Sequence, residues 1–224
     1  MFHPIDQPME RGWVGRVDGE HVVHLAAQTL QSFFLGGGGA REHAEYRLDD
    51  VVLLAPVLQP PAVRMFDDPT SFAFANPTSV VGPGAQITAP TGRLAVRPRL
   101  AAVVGAECAI GGFTAYAEWR APELAPPKDT DFAASLGPVV VTGDELSGSQ
   151  EVRVTVGETE QLVDSLPAFE WEAARAFAAA GTTLRPGDLL VGPSAGEIDE
   201  LPDGSVVAIE IAGIGALSAT TAPR

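Results

Sequence analysis

Two arginines, Arg97 and Arg99, stand two residues apart in the stretch RLAVRPRLAAVVGAE, directly ahead of the apolar run Leu100 to Val104. That run reads as a buried strand, and side chains at i and i+2 of a strand share a face, so both guanidinium groups point at the same place. A fixed pair of this kind suits a carboxylate or an enolate, because each group offers bidentate donors and stays charged. It can also hold negative charge that develops on oxygen. The plainer alternative is that the pair ties strands together through neighbouring acids. Other reactive types are sparse. The single cysteine, Cys108, is followed by no histidine and reads as a small core residue rather than a nucleophile. The four histidines all precede residue 44, which leaves no Cys/His cluster of zinc type. The glycine run Gly36 to Gly39 lacks the preceding strand and the following Lys-Ser/Thr of a phosphate loop, and reads as a connector.

Composition narrows the partners. With 29 acidic against 14 basic residues and a formal net charge of −15, the surface repels phosphate backbones and anionic membranes. A small molecule or a protein is the expected partner, with no nucleic acid and no membrane. The opening MFHPIDQPMERGW has polar residues where a secretory leader is apolar. No apolar run approaches the roughly 18 residues needed to span a bilayer. A cytoplasmic location is expected. At 224 residues the chain holds one large domain, or a small one followed by a medium one.

The elements that must carry the arginines are mostly strands. GWVGRVDGEHVVHL alternates around Asp18-Gly19, a hairpin signal, and LAAQTLQSFF continues with helical spacing at Leu25, Leu30 and Phe33/Phe34 until Gly36. A small N-terminal unit is set at residues 1–48 and the body at 49–224. In the body EVRVTVG alternates as a half-buried strand, and SVVAIEIAGIG forms another after the Pro202-Asp203-Gly204 turn. The clearest helix is 166–180, with Ser165 as its cap, Pro167 in its first turn and a stripe of Phe169, Ala173, Ala176, Phe177 and Ala180. Many short strands, 19 prolines and 24 glycines indicate an α+β chain that is mostly β.

Five ordered segments, LLAPVLQPPAVRMF, FANPTSVVGPGAQITAP, KDTDFAASLGPVVVTGDEL, TTLRPGDLL and AIEIAGIGALS, resemble those of the fumarylacetoacetate hydrolase superfamily. The likeness runs from Gly12 to Leu217. It implies a mixed β-roll behind a small N-terminal domain, a homodimer, and chemistry on β-dicarbonyl compounds through a divalent metal, with hydrolytic, decarboxylating and isomerising members. In the family two glutamates at i and i+2 and a later aspartate hold that metal. Here the glutamates correspond to Arg97 and Arg99, and the aspartate to Glu118 in GFTAYAEWRAPEL. The family's water-activating glutamate and histidine are missing after VRMF. Lys128, the only lysine, keeps the family's lysine position, and Ser194 in VGPSAGE stands for a hydroxyl-bearing threonine.

Guanidinium has no lone pair to donate, whereas Mg²⁺ requires oxygen ligands. The expectation is therefore an enzyme without metal or other cofactor. Arg97, Arg99 and Ser194 would bind an acidic β-dicarbonyl or polyketide-like substrate, and Glu118 or Lys128 would move protons. Without the water-activating pair, enolisation, decarboxylation, dehydration or cyclisation is favoured over C–C hydrolysis. The alternatives are a catalytically silent homologue, in which the arginines pair with Glu118 and Asp131 and the protein serves as a subunit or binding protein, and a metal hydrolase with displaced ligands at Asp67, Asp68 and Glu123.

Overall fold

The segments with alternating apolar residues become strands, and the turn residues between them set where each strand ends. The computed structural model describes residues 1–146 and 148–223. Its first part holds β1 (Phe2–Pro4), β2 (Gly15–Asp18), β3 (His21–Leu25), α1 (Leu30–Leu35), β4 (Glu42–Arg47) and β5 (Val51–Leu53). β2, β3 and β4 form an antiparallel three-stranded sheet. Gly19, in the β2–β3 turn, has a φ of 57°, a left-handed conformation that glycine adopts without steric cost. Helix α1 is shorter than the spacing from Leu25 suggests, because Leu25 is buried at the end of β3. The helix starts after Thr29, whose hydroxyl accepts from the Ser32 amide while Ser32 Oγ accepts from the Thr29 amide. This reciprocal cap satisfies two otherwise orphaned donors.

The body contains β6 (Val63–Asp68), β7 (Ser71–Ala75), β8 (Val80–Val81), β9 (Ala85–Thr88), β10 (Ala95–Val104), β11 (Ile110–Arg120), β12 (Ala134–Val141), β13 (Glu151–Val156) and β14 (Thr159–Ser165), followed by α2 (Trp171–Ala179), β15 (Leu189–Ser194), β16 (Val206–Ile211) and β17 (Gly215–Ala222). A seven-stranded sheet has the order β7-β6-β15-β10-β11-β12-β8, and a five-stranded sheet the order β14-β13-β16-β17-β9. The mostly β architecture expected from the sequence is borne out.

β10 runs through the middle of the larger sheet and divides its neighbours by parity. Val96 and Leu100 join a cluster with Trp119, Val152, Val154, Ile209 and Leu217, which fills the space between the two sheets. Ala102 and Val104 cluster with Ala174 and Ala178 of α2 and with Leu190 of β15. On the opposite face Ala101 and Val103 pack with Tyr116, Leu136 and Val191. Arg97 and Arg99 share that second face at the end where the apolar cover stops. On the other face of the sheet, the buried Arg64 donates to Asp188 at 3.1 Å, which links β6 to the segment entering β15.

The helix expected at 166–180 is confined to α2, and its buried face differs from the expected stripe. β14 continues to Ser165, so neither Ser165 nor Pro167 starts the helix, and Glu170 takes the cap position without a side-chain bond. Ala174 and Ala178 are the buried residues. Small side chains there allow close approach to the sheet, while Phe177 stays outside against the edge of Phe72. Leu136, wholly buried in the cluster on the arginine side, tests this core. Leu136→Ala should lower unfolding free energy by about 2–5 kcal/mol in urea titration.

Candidate active site

Antiparallel register sets Arg97 of β10 opposite Glu118 of β11, and Arg99 opposite Tyr116. Four side chains therefore form a two-by-two array on one face. Arg99 lies at its centre, with only 4% of its side chain exposed. Its Nε donates to Glu118 at 2.7 Å, and its Nη1 donates to Asp67 at 2.9 Å and to the Gly192 carbonyl at 2.9 Å. Gly192 has no room for a side chain, since a Cβ there would lie 2.8 Å from the Trp171 ring. Arg97 is half-buried and donates through Nε to Glu197, which also accepts from Arg120 at 2.8 Å. The two η nitrogens of Arg97 make no hydrogen bond among the described residues.

This array floors a cavity of about 430 Å³. One wall is the β6–β7 hairpin, through Met65, Asp67, Asp68, Phe72 and Phe74, and the other includes Thr130 and Ala133. Asp68 is held by its own turn, where the Thr70 hydroxyl and amide donate to it and keep its carboxyl below the usual range. A larger cavity of about 1210 Å³ lies between the N-terminal part and the body, but among the described residues Arg16 and Glu145 are the only charged side chains lining it. The smaller cavity gathers the groups that can bind and polarise an oxyanion.

The structure brings Arg97, Arg99 and Glu118 together and leaves the other two sequence candidates outside. Lys128 is 70% exposed and donates to Asp131 at 2.7 Å, and it does not line the cavity. Asp131, suggested as a partner of the arginines, is thereby engaged with Lys128. Ser194 is the β15 residue opposite Arg99, yet it is not part of the cavity wall. Three contributors escaped the sequence reading. Asp67 entered it only as a metal ligand, but it is a partner of Arg99. Glu197 gave no signal, because its link to Arg97 crosses a hundred residues. Tyr116 precedes Glu118 by two residues on a strand, and that spacing alone would have placed it on the same face.

Tyr116 is 2% exposed. Burial pushes its phenol well above the usual value, and the Glu118 carboxylate adds to the shift while Arg99 opposes it. The phenol therefore stays protonated through the neutral and mildly alkaline range. Because its folded value is raised, this group stabilises the fold below pH 10 and the contribution is lost as pH rises toward the folded value.

The sequence matches the family described as fumarylacetoacetate (FAA) hydrolase C-terminal over residues 37–222. The chain belongs to this family. No curated protein matches it. Among solved structures it resembles maleylpyruvate hydrolase from Sphingobium sp. SYK-6 in complex with manganese(II) ion and pyruvate, with 18% identity, a TM-score of 0.79 and coverage of 96% of this chain and 97% of that one. It also resembles 2-hydroxyhepta-2,4-diene-1,7-dioate isomerase from Mycobacterium marinum, with 22% identity, a TM-score of 0.73 and coverage of 95% and 93%. A third is 2-keto-3-deoxy-D-arabinonate dehydratase complexed with magnesium and 2,5-dioxopentanoate, with 18% identity, a TM-score of 0.78 and coverage of 96% and 97%. At these identities the likenesses establish the fold. Taken with the family match, they bear out the expectation of an enzyme.

The expected absence of any cofactor is corrected by the same structures. Two of these enzymes are solved with manganese(II) or magnesium, which marks a divalent-metal site in the family. Arg97 and Arg99 exclude an ion only at their own positions. At that spot the donors do not fit an ion. Glu118 and Asp67 are engaged by Arg99 and Asp68 by Thr70, and among the described residues no three His, Cys, Asp or Glu side chains converge as an ion requires.

Arg99→Met strands the Glu118 carboxylate, which is only 12% exposed, and should cost about 3–5 kcal/mol in urea unfolding. Adding Glu118→Gln should recover most of that loss. Arg97→Met should cost about 1 kcal/mol or less, since Glu197 keeps Arg120. In a Tyr46→Phe variant, where Tyr116 is the only tyrosine, the folded protein should develop no tyrosinate absorbance at pH 10.5. The same chain in urea should titrate near about pH 10.

Proposed function

We propose that this chain is an enzyme acting on a small acidic β-dicarbonyl or polyketide-like molecule in the cavity floored by Arg97, Arg99, Tyr116 and Glu118. The observation that carries the reading is the pairing of a cation that has free donors with a carboxylate that has a free oxygen. Arg97 uses only Nε within the protein, so its outer edge is available to a substrate carboxylate. Glu118 accepts from Arg99 through Oε2, while Oε1 has no partner among the described residues.

In this reading Arg97 anchors the carboxylate, and Glu118 Oε1 takes a proton from the carbon between or beside the carbonyls. The electron pair of that C–H bond moves into a new C–C double bond, and negative charge gathers on the carbonyl oxygen. Arg99 stabilises the charge electrostatically. The enolate stabilised in this way is common to isomerisation, dehydration and cyclisation, and it is also what decarboxylation leaves when CO₂ departs and the electron pair of the broken C–C bond stays on the substrate. C–C hydrolysis is less supported, because the cavity wall has no histidine to activate water. Proton transfer falls to Glu118 rather than Lys128.

A second reading rests on the saturation of Arg99 by Glu118, Asp67 and the Gly192 carbonyl. Under it the chain is a catalytically silent homologue that serves as a subunit or binding protein. The first reading also includes a cytoplasmic homodimer, with the small N-terminal domain at residues 1–48 ahead of the body at 49–224. β7 supports association because it is an open sheet edge that bears the exposed Phe74. No helix among the described residues is long and apolar enough to cross a membrane.

Proton exchange into D₂O separates the readings. The carbon beside the ketone of pyruvate and of 2,4-dioxopentanoate should exchange faster with the protein than without it, as followed by proton NMR. Glu118→Gln should lower the protein-dependent rate by about 10²-fold or more, and Arg97→Met should raise KM about tenfold or more. Equal rates for the parent and Glu118→Gln would leave the silent homologue as the account.

A further inference from the structure

We propose that the Tyr116 phenol is a neutral hydrogen-bond donor to the ligand in this cavity, meeting the carbonyl oxygen on which an oxo acid gathers negative charge. The inference rests on the reading of the cavity as an oxo-acid site and adds a contact that selects planar, oxyanion-bearing ligands.

A buried phenol normally finds a partner, because an unpaired hydroxyl in an apolar setting costs free energy. Tyr116 is among the largest fully buried side chains, and its body packs with Ala101, Val103, Leu136 and Val191. Its hydroxyl nevertheless makes no hydrogen bond among the described residues. Nor is it one of the fully enclosed polar atoms without partners, which are Arg64 Nε, Thr91 Oγ1, Thr114 Oγ1 and Asp188 Oδ1. The residue lines the cavity. A hydroxyl that is neither bonded nor enclosed, on a ring that is otherwise buried, opens onto that cavity.

The neighbouring groups fix which role it can take. Arg99 lies directly across the strand pair and Glu118 two residues along the same face. Glu118 beside it disfavours phenolate, so the hydroxyl is available as a donor and not as a base. Arg99 and this neutral donor then flank the place where an enolate oxygen would lie, and the unengaged Oε1 of Glu118 sits at its edge.

Oxalate, a planar dianion shaped like the enolate of pyruvate, is the probe. In the Tyr46→Phe chain labelled with ¹³Cζ-tyrosine, the single Cζ resonance should move saturably as oxalate is added. Tyr116→Phe should weaken oxalate binding about tenfold or more without lowering the melting temperature. Oxalate binding that is sensitive to Arg97→Met, with an unmoved Cζ resonance and an unchanged affinity in Tyr116→Phe, would overturn the donor role and leave the anion site standing. Absence of saturable oxalate binding to the parent overturns both. Should Tyr116→Phe fail to fold, the resonance titration decides alone, because it keeps Tyr116 intact.

Discussion

A guanidinium group buried to 4% exposure cannot be left uncompensated, and much of the site follows from how Arg99 is neutralised. Its partners come from three other strands: Asp67 from β6, Glu118 from β11 and the Gly192 carbonyl from β15. The ion therefore acts as a fastener across the middle of the seven-stranded sheet. The partners differ in a way that matters for ligands. Glu118 is nearly as buried as Arg99 and cannot leave without a penalty of several kcal/mol. Asp67 is 83% exposed and can return to water at a cost near that of a surface ion pair, about 0–1 kcal/mol. A ligand oxyanion can thus take the Asp67 position on Arg99 while the fastener between β10 and β11 stays closed.

The same strand serves packing and chemistry because its two faces are separated by parity. Even-numbered residues of β10 are committed to the space between the sheets and to the underside of α2. Odd-numbered residues include Arg97 and Arg99 and turn to Ala101 and Val103 where the cover over that face begins. The boundary between site and core is therefore a boundary along one strand. Tyr116 straddles it, with its ring in the core cluster and its hydroxyl at the cavity.

Strand-level periodicity made a large share of this legible beforehand. The shared face of Arg97 and Arg99 follows from the spacing of two, and the Asp18-Gly19 hairpin and the strands around Val152 and Val207 follow from alternation and turn residues. Local pattern failed where a distant contact decides. The helix stripe was misread because close approach to the sheet selects Ala174 and Ala178 over the larger Phe177. Asp131, a suggested partner of the arginines, pairs with Lys128 three residues away, whereas Glu197 reaches Arg97 from another strand connection altogether. The metal question shows the same limit, since residue types at two positions speak only for those positions.

The net charge of −15 bears on how an anion would reach this cavity. An acidic surface repels an anionic ligand at long range, and Asp67 and Asp68 stand at the wall it must pass. Recognition must then come from short-range contacts, with Arg97 and Arg99 acting inside a shielded cavity where the effective dielectric is lower than in water. Screening by salt weakens the long-range repulsion beyond about 8–10 Å and leaves the buried contacts largely intact. For most enzymes of anionic substrates salt slows encounter by screening an attraction. Here the sign is reversed, and moderate salt should speed anion entry, because the cations that line the cavity among the described residues, Arg97 and Arg99, form its floor while Asp67 and Asp68 stand at its wall.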